Sequence, residues 1–286
     1  SMLGPKSTVP FGVASNSDII WITGYDVNVL DALGQTQMSQ EFKCHSAVLS
    51  SEGHVFTLSQ GQESIRLPES YGIPIHSKDK MMYYSQVLNH NIVGDPFSVR
   101  SQMKLYFEND PNIPMQPLMQ KVIVGFKDDG TDANEFYEHK GSQGECLVGI
   151  HNPSPGARIT FNDVYFDTDI SPEAKTLNGH WMVQPGREKI INDVTERLDI
   201  QFDTTIHYIN VHLHALAESL ELYDRTLGKT VFKSIAENGL NSIELKKVSY
   251  YSSDEGPEIW LYKDHEYDLI TTYNNTTDKV YSAMSL

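Results

Sequence analysis

The sequence predicts an all-β protein of two antiparallel β-sandwiches, and three observations predict it. Apolar and polar residues alternate with a period of two along much of the chain, the pattern of half-buried pleated strands. Clusters of Gly, Pro, Asn, Asp and Ser interrupt these runs at intervals of roughly ten residues, the rhythm of sandwiches and barrels. Thr, Val, Ile and Tyr recur throughout, and helical periodicity is scarce.

Taken in chain order, strands are expected over 18–31 (DIIWITGYDVNVLD), 41–49, 54–58, 81–91, 104–107 and 120–126. Each is an alternating or β-branched run bounded by turn residues. The segment 127–144, rich in Asp, Gly, Glu and Asn, reads as a long loop. A strand over 157–166 follows the turn cluster Asn152-Pro153-Ser154-Pro155-Gly156. The stretch 170–179 (ISPEAKTLNG) is the expected linker, giving domains 1–172 and 173–286, both of ordinary domain size. In the second domain, strands are expected over 204–214, 220–223, 243–251 and 266–273, with Met284 on a further, final strand near the C-terminus.

Acidic residues number 38 against 22 basic ones, a formal net charge of −16. Such a surface repels phosphate backbones, which argues against nucleic acid as a partner. No apolar stretch approaches the roughly 20 residues of a membrane-spanning helix. The chain starts Ser1-Met2-Leu3-Gly4 without a basic or apolar leader, and a natural leader is expected to be absent from it. Two cysteines, Cys44 and Cys146, either pair or leave Cys44 as a thiol beside His45. Asn274 and Asn275 each begin an N-x-T triplet.

The most specific chemistry lies in His212-Leu213-His214. Residues i and i+2 of a strand point to the same face, so the two imidazoles project side by side. Ile209, Val211, Leu213 and Ala215 form an apolar face, while Tyr208, Asn210, His212 and His214 form the outer, polar one. Two aligned imidazoles are ready metal ligands, and the thioether of Met284 as a third would select copper, because soft sulfur prefers Cu(I) to Mg, Mn or Fe.

The order Val183-Gln184-Pro185-Gly186-Arg187-Glu188, His212-Leu213-His214, Tyr273-Asn274-Asn275-Thr276, Met284 resembles the C-terminal domain of the copper type II, ascorbate-dependent monooxygenases. The first half is similar more loosely. Leu67-Pro68-Glu69-Ser70-Tyr71-Gly72 leads to Gln86-Val87-Leu88-Asn89-His90-Asn91. Cys44-His45-Ser46-Ala47-Val48-Leu49 sits where the family has its paired-histidine strand, and Met103-Lys104-Leu105-Tyr106-Phe107 resembles the strand after it. The resemblance implies two tandem sandwiches of jelly-roll type. It implies a main copper site of His212, His214 and Met284, ascorbate as reductant, and O₂ and a small organic molecule as substrates. It implies a secreted or periplasmic protein. The first copper site departs from the family: Cys44-His45 replaces the paired histidines, and Leu88 takes the third ligand position with His90 one pleat along. A degenerate second site would consist of Cys44, His45 and His90, since a thiolate also holds Cu(I).

Two other readings compete. A single His/His/Met site suits a non-catalytic copper carrier, sensor or store. His212-x-His214-x₃-Glu218 with His265 resembles the ligand set of cupins, all-β proteins that hold Mn or Fe. His180 and His207 flank the second-domain strands and are candidates for supporting metal ligands. No GxGxxG, P-loop, G-x-S-x-G or HExxH motif is present.

Overall fold

The computed structural model describes residues 6–51, 53–89, 97–109, 114–128, 164–165, 177–178, 180–240 and 242–286. These residues form an all-β structure of multiple antiparallel sheets, as the period-two pattern predicts. The first half contains β1 (Lys6–Phe11), β2 (Ile19–Asp31), β3 (Lys43–Ser50), β4 (Gly53–Ser59), β5 (Ser64–Arg66), β6 (Tyr71–His76), β7 (Met81–Val87), β8 (Val99–Glu108) and β9 (Gln116–Pro117). One sheet runs β1-β7-β3-β4; the other runs β5-β2-β6-β9, with β8 also paired to β2. The short β6–β9 pair is parallel.

The alternation in β2 decides which face is buried. Ile20, Ile22, Val27 and Val29 are fully buried. Ile20, Ile22 and Val27 share a core with Val48 on β3 and with Val55, Phe56 and Leu58 on β4. Each such side chain contributes about 1.5–3 kcal/mol by leaving water. The ring of Tyr25 stacks on Phe56, 5.9 Å between centroids.

The second half begins with three two-residue strands, β10 (Lys127–Asp128), β11 (Val164–Tyr165) and β12 (Leu177–Asn178), joined in one small sheet. Then come β13 (His180–Val183), β14 (Gly186–Asp193), β15 (Thr204–Ile206), β16 (Tyr208–Ile209), β17 (Ala217–Asp224), β18 (Lys229–Asn238), β19 (Leu245–Val248), β20 (Tyr251–Ser252), β21 (Ile259–Leu261), β22 (Tyr267–Asn275) and β23 (Tyr281–Met284). The main sheet is β14-β22-β17-β18-β19. A second core gathers Trp181, Val211, Leu213, Leu220, Leu269 and Tyr273.

Three strand expectations need correcting. The run 243–251 is two strands, β19 paired with β18 and β20 paired with β16. Residues 120–126 lie outside any strand. Their backbone bonds go elsewhere: Gly125 N–H donates to Ser285 C=O at 2.8 Å, and the Asn192 side-chain amide both donates to and accepts from the Phe126 backbone. The run 204–214 is not one strand either. It changes partner twice, pairing with β21, then β20, then the C-terminal tail through a Leu213–Ser285 bridge. Each switch breaks the ladder and starts another. The expected linker 170–179 lies largely outside the described residues, as does most of the loop expected over 127–144.

The halves are joined by polar and close-packed contacts. Gln60 Oε1 accepts from Leu245 N–H at 2.7 Å, and Gly61 C=O accepts from Val248 N–H at 3.1 Å. Gly61 has φ +84°, and a Cβ there would stand 3.1 Å from Val248 Cγ2 and 3.2 Å from Leu245 Cβ. Glycine is required by both the backbone angle and the close approach. The amide of Asn210 donates to Thr57 C=O, and Tyr71 stacks on His207 with centroids 4.2 Å apart.

Candidate metal centre

The His212-Leu213-His214 segment is held from two sides. Leu213 and Val211, each 1% exposed, anchor one face in the second core. The tail holds the other edge: His212 and Leu286 exchange both backbone hydrogen bonds, at 2.9 and 3.0 Å. With the Leu213–Ser285 bridge between them, this register sets Met284 opposite His214. Opposed residues of an antiparallel pair project to one face. The tail expected to bring Met284 back to the paired histidines therefore runs beside them.

At the His214–Met284 position the ladder is opened by a side chain. The hydroxyl of Tyr273 accepts from His214 N–H at 3.0 Å and donates to Met284 C=O at 2.7 Å. It stands where the next pair of backbone bonds would form. Tyr273 is fully buried, its ring edge-on to Trp181 at 6.0 Å, and burial pushes its hydroxyl pKa well up. On its other edge Met284 pairs in register with His180 of β13.

The imidazole face is buried, which corrects the expectation of an outer, polar surface. His212 is 4% and His214 8% exposed. Their ring centroids are 5.3 Å apart. Metal–imidazole bonds are about 2 Å long, which puts rings on one metal roughly 5 Å apart between centres. His214 Nδ1 donates to the carbonyl of Ser282 at 3.1 Å. A carbonyl only accepts, so Nδ1 carries the proton and the lone pair lies on Nε2, the usual arrangement for a metal-binding histidine.

The covering group is His45 of β3. Its ring lies 5.6 Å from that of His212 and stacks on Tyr84 at 5.4 Å. A β-bulge aims it there. Lys43 pairs with Val87 and His45 with Gln86, so Cys44 is the extra residue on β3. Bulges of this kind re-aim side chains near functional sites. Cys44, 5% exposed, has its Sγ 3.4 Å from His45 Nδ1. Sequence reasoning assigned His45 to a separate first-half site with Cys44 and His90; the structure sets its ring against the second-half pair. His90 and Cys146 lie outside the described residues. Among the described residues, no three His, Cys, Asp or Glu side chains are gathered as a metal-holding group. The candidate donor set is two imidazoles and a thioether.

The turn that leaves the site is strained. His214 C=O accepts from Ala217 N–H, closing a tight turn in which Leu216 has φ +74°. A branched residue in that region costs on the order of 1 kcal/mol. Asn238 holds it: Oδ1 accepts from Leu216 N–H at 2.6 Å, and Nδ2 donates to Ala217 C=O at 2.7 Å. Nothing in the sequence around Leu216 signalled this turn.

The remaining candidates lie elsewhere. Glu218 bonds Arg187 at 2.8 Å and Asn274 at 3.1 Å, while His265 bonds Asp224 at 2.7 Å. Glu218 and Asp224 sit near opposite ends of β17, so the cupin-like ligand set is not assembled. His207 stacks on Tyr71. Asn275, 1% exposed, donates to the carbonyls of Val183 and Lys279, and its side chain is inaccessible to glycosylation. No helix among the described residues is long and apolar enough to cross a membrane. No protein-family model and no curated protein matches this chain.

Proposed function

We propose that this protein is a copper-dependent oxidoreductase of the ascorbate-dependent monooxygenase type, acting on a small organic substrate with O₂. The observation that carries the reading is the pairing of the tail with the histidine segment. It puts Met284 opposite His214 and leaves two buried imidazoles at the spacing of shared ligands. His212, His214 and Met284 would hold the metal, a donor set suited to Cu(I). Copper, once bound, supplies the redox chemistry between ascorbate and O₂. The chain orients and shields. Ser282 C=O fixes the His214 tautomer, Tyr273 spaces the two segments, and the first half closes over the rings with His45. The two-domain division, the jelly-roll type of both sandwiches and a secreted or periplasmic location belong to the same proposal.

A second reading, copper binding without catalysis, is favoured by the position of His45. A first-half imidazole set against His212 suits one metal centre, whereas two-copper hydroxylation needs a separate electron store. Anaerobic loading with Cu(I), followed by metal analysis and an oxygen-electrode assay with ascorbate, tests both. Tight Cu(I) uptake with ascorbate-dependent O₂ consumption supports the oxidoreductase. Uptake of one copper without O₂ consumption supports the carrier. Preference for Mn(II) or Fe(II) over Cu(I) overturns both.

A further inference from the structure

A cavity of about 590 Å³ lies between the two halves, within the usual range for small-molecule sites. Its walls come from both sandwiches and from the segment crossing between them, with Phe56, Ile73, Val122, Ile209, Leu220 and Leu269 among the apolar residues. The Lys and Asp side chains in the lining are Lys121 and Asp199. They bond each other at 3.2 Å and are 41% and 58% exposed, which places them at the rim. His54, also in the lining, is held by burial near pKa 4 and is uncharged at neutral pH. Met119 and Phe202 are 82% and 61% exposed and also line the cavity, giving it an apolar mouth. Asn210 and Val211, which precede His212, and Leu286, which pairs with it, complete one wall. The cavity thus reaches the neighbours of His212 in the chain and across the ladder, while His212, His214 and Met284 themselves lie outside its lining.

We propose that this cavity binds an uncharged, predominantly apolar small organic molecule, and that this molecule is the substrate of the copper centre; the second clause rests on the function proposed above. A charged ligand would lose its hydration in a wall whose own ion pair is already satisfied. An apolar one gains free energy in proportion to the area it removes from water.

The test titrates the full chain, with and without copper, with the neutral fluorophore N-phenyl-1-naphthylamine. A naphthyl-alkylammonium cation is the competitor. The expected result is saturable binding of one neutral probe per chain, with the cation at least tenfold weaker although the protein carries a net charge of −16. Phe202→Asp and Met119→Asp alter exposed side chains, so the fold, checked by thermal melting, should persist while probe affinity falls at least fivefold. In copper-loaded protein, neutral naphthalene compounds should raise ascorbate-dependent O₂ consumption at least twofold, and Phe202→Asp should lose that response. Absence of saturable binding, cation binding as tight as the neutral probe, or rim variants without effect would overturn the cavity assignment. Binding without stimulation overturns the substrate clause. Probe binding by protein that takes up no copper supports the cavity assignment and overturns the copper reading; copper uptake without probe binding does the reverse.

Discussion

Tyr273→Phe is the sharpest single perturbation of the candidate centre. The substitution keeps the buried ring and its edge-on contact with Trp181, and removes one hydroxyl. That hydroxyl bonds His214 N–H and Met284 C=O, both inside the protein. Its loss leaves a buried donor and a buried acceptor, each costing roughly 1–3 kcal/mol when unsatisfied. Partial closure of the two segments would recover some of this, so a destabilisation of about 2–4 kcal/mol is expected in urea unfolding. The same closure shifts His214 against Met284 and should weaken Cu(I) binding at least tenfold, about 1.4 kcal/mol. Competition against a chromophoric Cu(I) chelator reads the affinity. Destabilisation with unchanged Cu(I) affinity would refute the link between this hydroxyl and the metal ligands. Unchanged stability would refute the inserted-hydroxyl geometry itself.

Other perturbations follow from the same contacts. Lys43 is 2% exposed, and burial holds its ammonium at about pKa 7 despite the pull of Glu63. The folded state therefore binds fewer protons than the unfolded one between pH 7 and 10.5, and wild-type stability should rise with pH across that window. Lys43→Met should be more stable below pH 7 by roughly 3–5 kcal/mol, less the lost bond to Gln62 C=O, with the difference vanishing near pH 10.5 in denaturant titrations. Gly61→Ala forces a Cβ against Val248 and Leu245 at a positive φ, and should lower stability by about 1–3 kcal/mol, read as a shifted denaturation midpoint. Asn238→Ala releases the strained turn after His214; a loss of about 2 kcal/mol and a several-fold weaker Cu(I) affinity are expected by the same two assays.

The β class was legible because its signal is local. β2 and β22 match their expected runs within a residue or two because their alternating or β-branched runs are bounded by turn residues. β18 was overlooked. Half of its KTVFKSIAEN sequence is exposed, and its apolar residues do not mark a committed face. The turn before it, with Gly228 at φ +66°, was the signal that would have found it. Residues 120–126 mislead for the opposite reason: Val122, Ile123, Val124 and Phe126 look like a strand, yet Val124 C=O accepts from Arg197, Gly125 N–H donates to Ser285 C=O and Phe126 N–H donates to the Asn192 side chain. At the site, residue types were readable and the environment was not. The alternation around His212 gives a polar face, and only the distant bulge at Cys44 supplies the ring that covers it. Tyr273 and Asn238 act through bonds across the sheet, which leave no mark in nearby sequence.

The claim that most needs measuring is that the tail's thioether and the paired imidazoles share one metal. X-ray absorption at the copper edge of the Cu(I)-loaded protein, compared with Met284→Ile, His212→Ala and Cys44→Ser, measures it directly. The account predicts two nitrogen neighbours and one sulfur neighbour, with the sulfur lost in Met284→Ile and retained in Cys44→Ser. A copper environment of nitrogen and oxygen alone, or a sulfur that persists in Met284→Ile and disappears in Cys44→Ser, would contradict it.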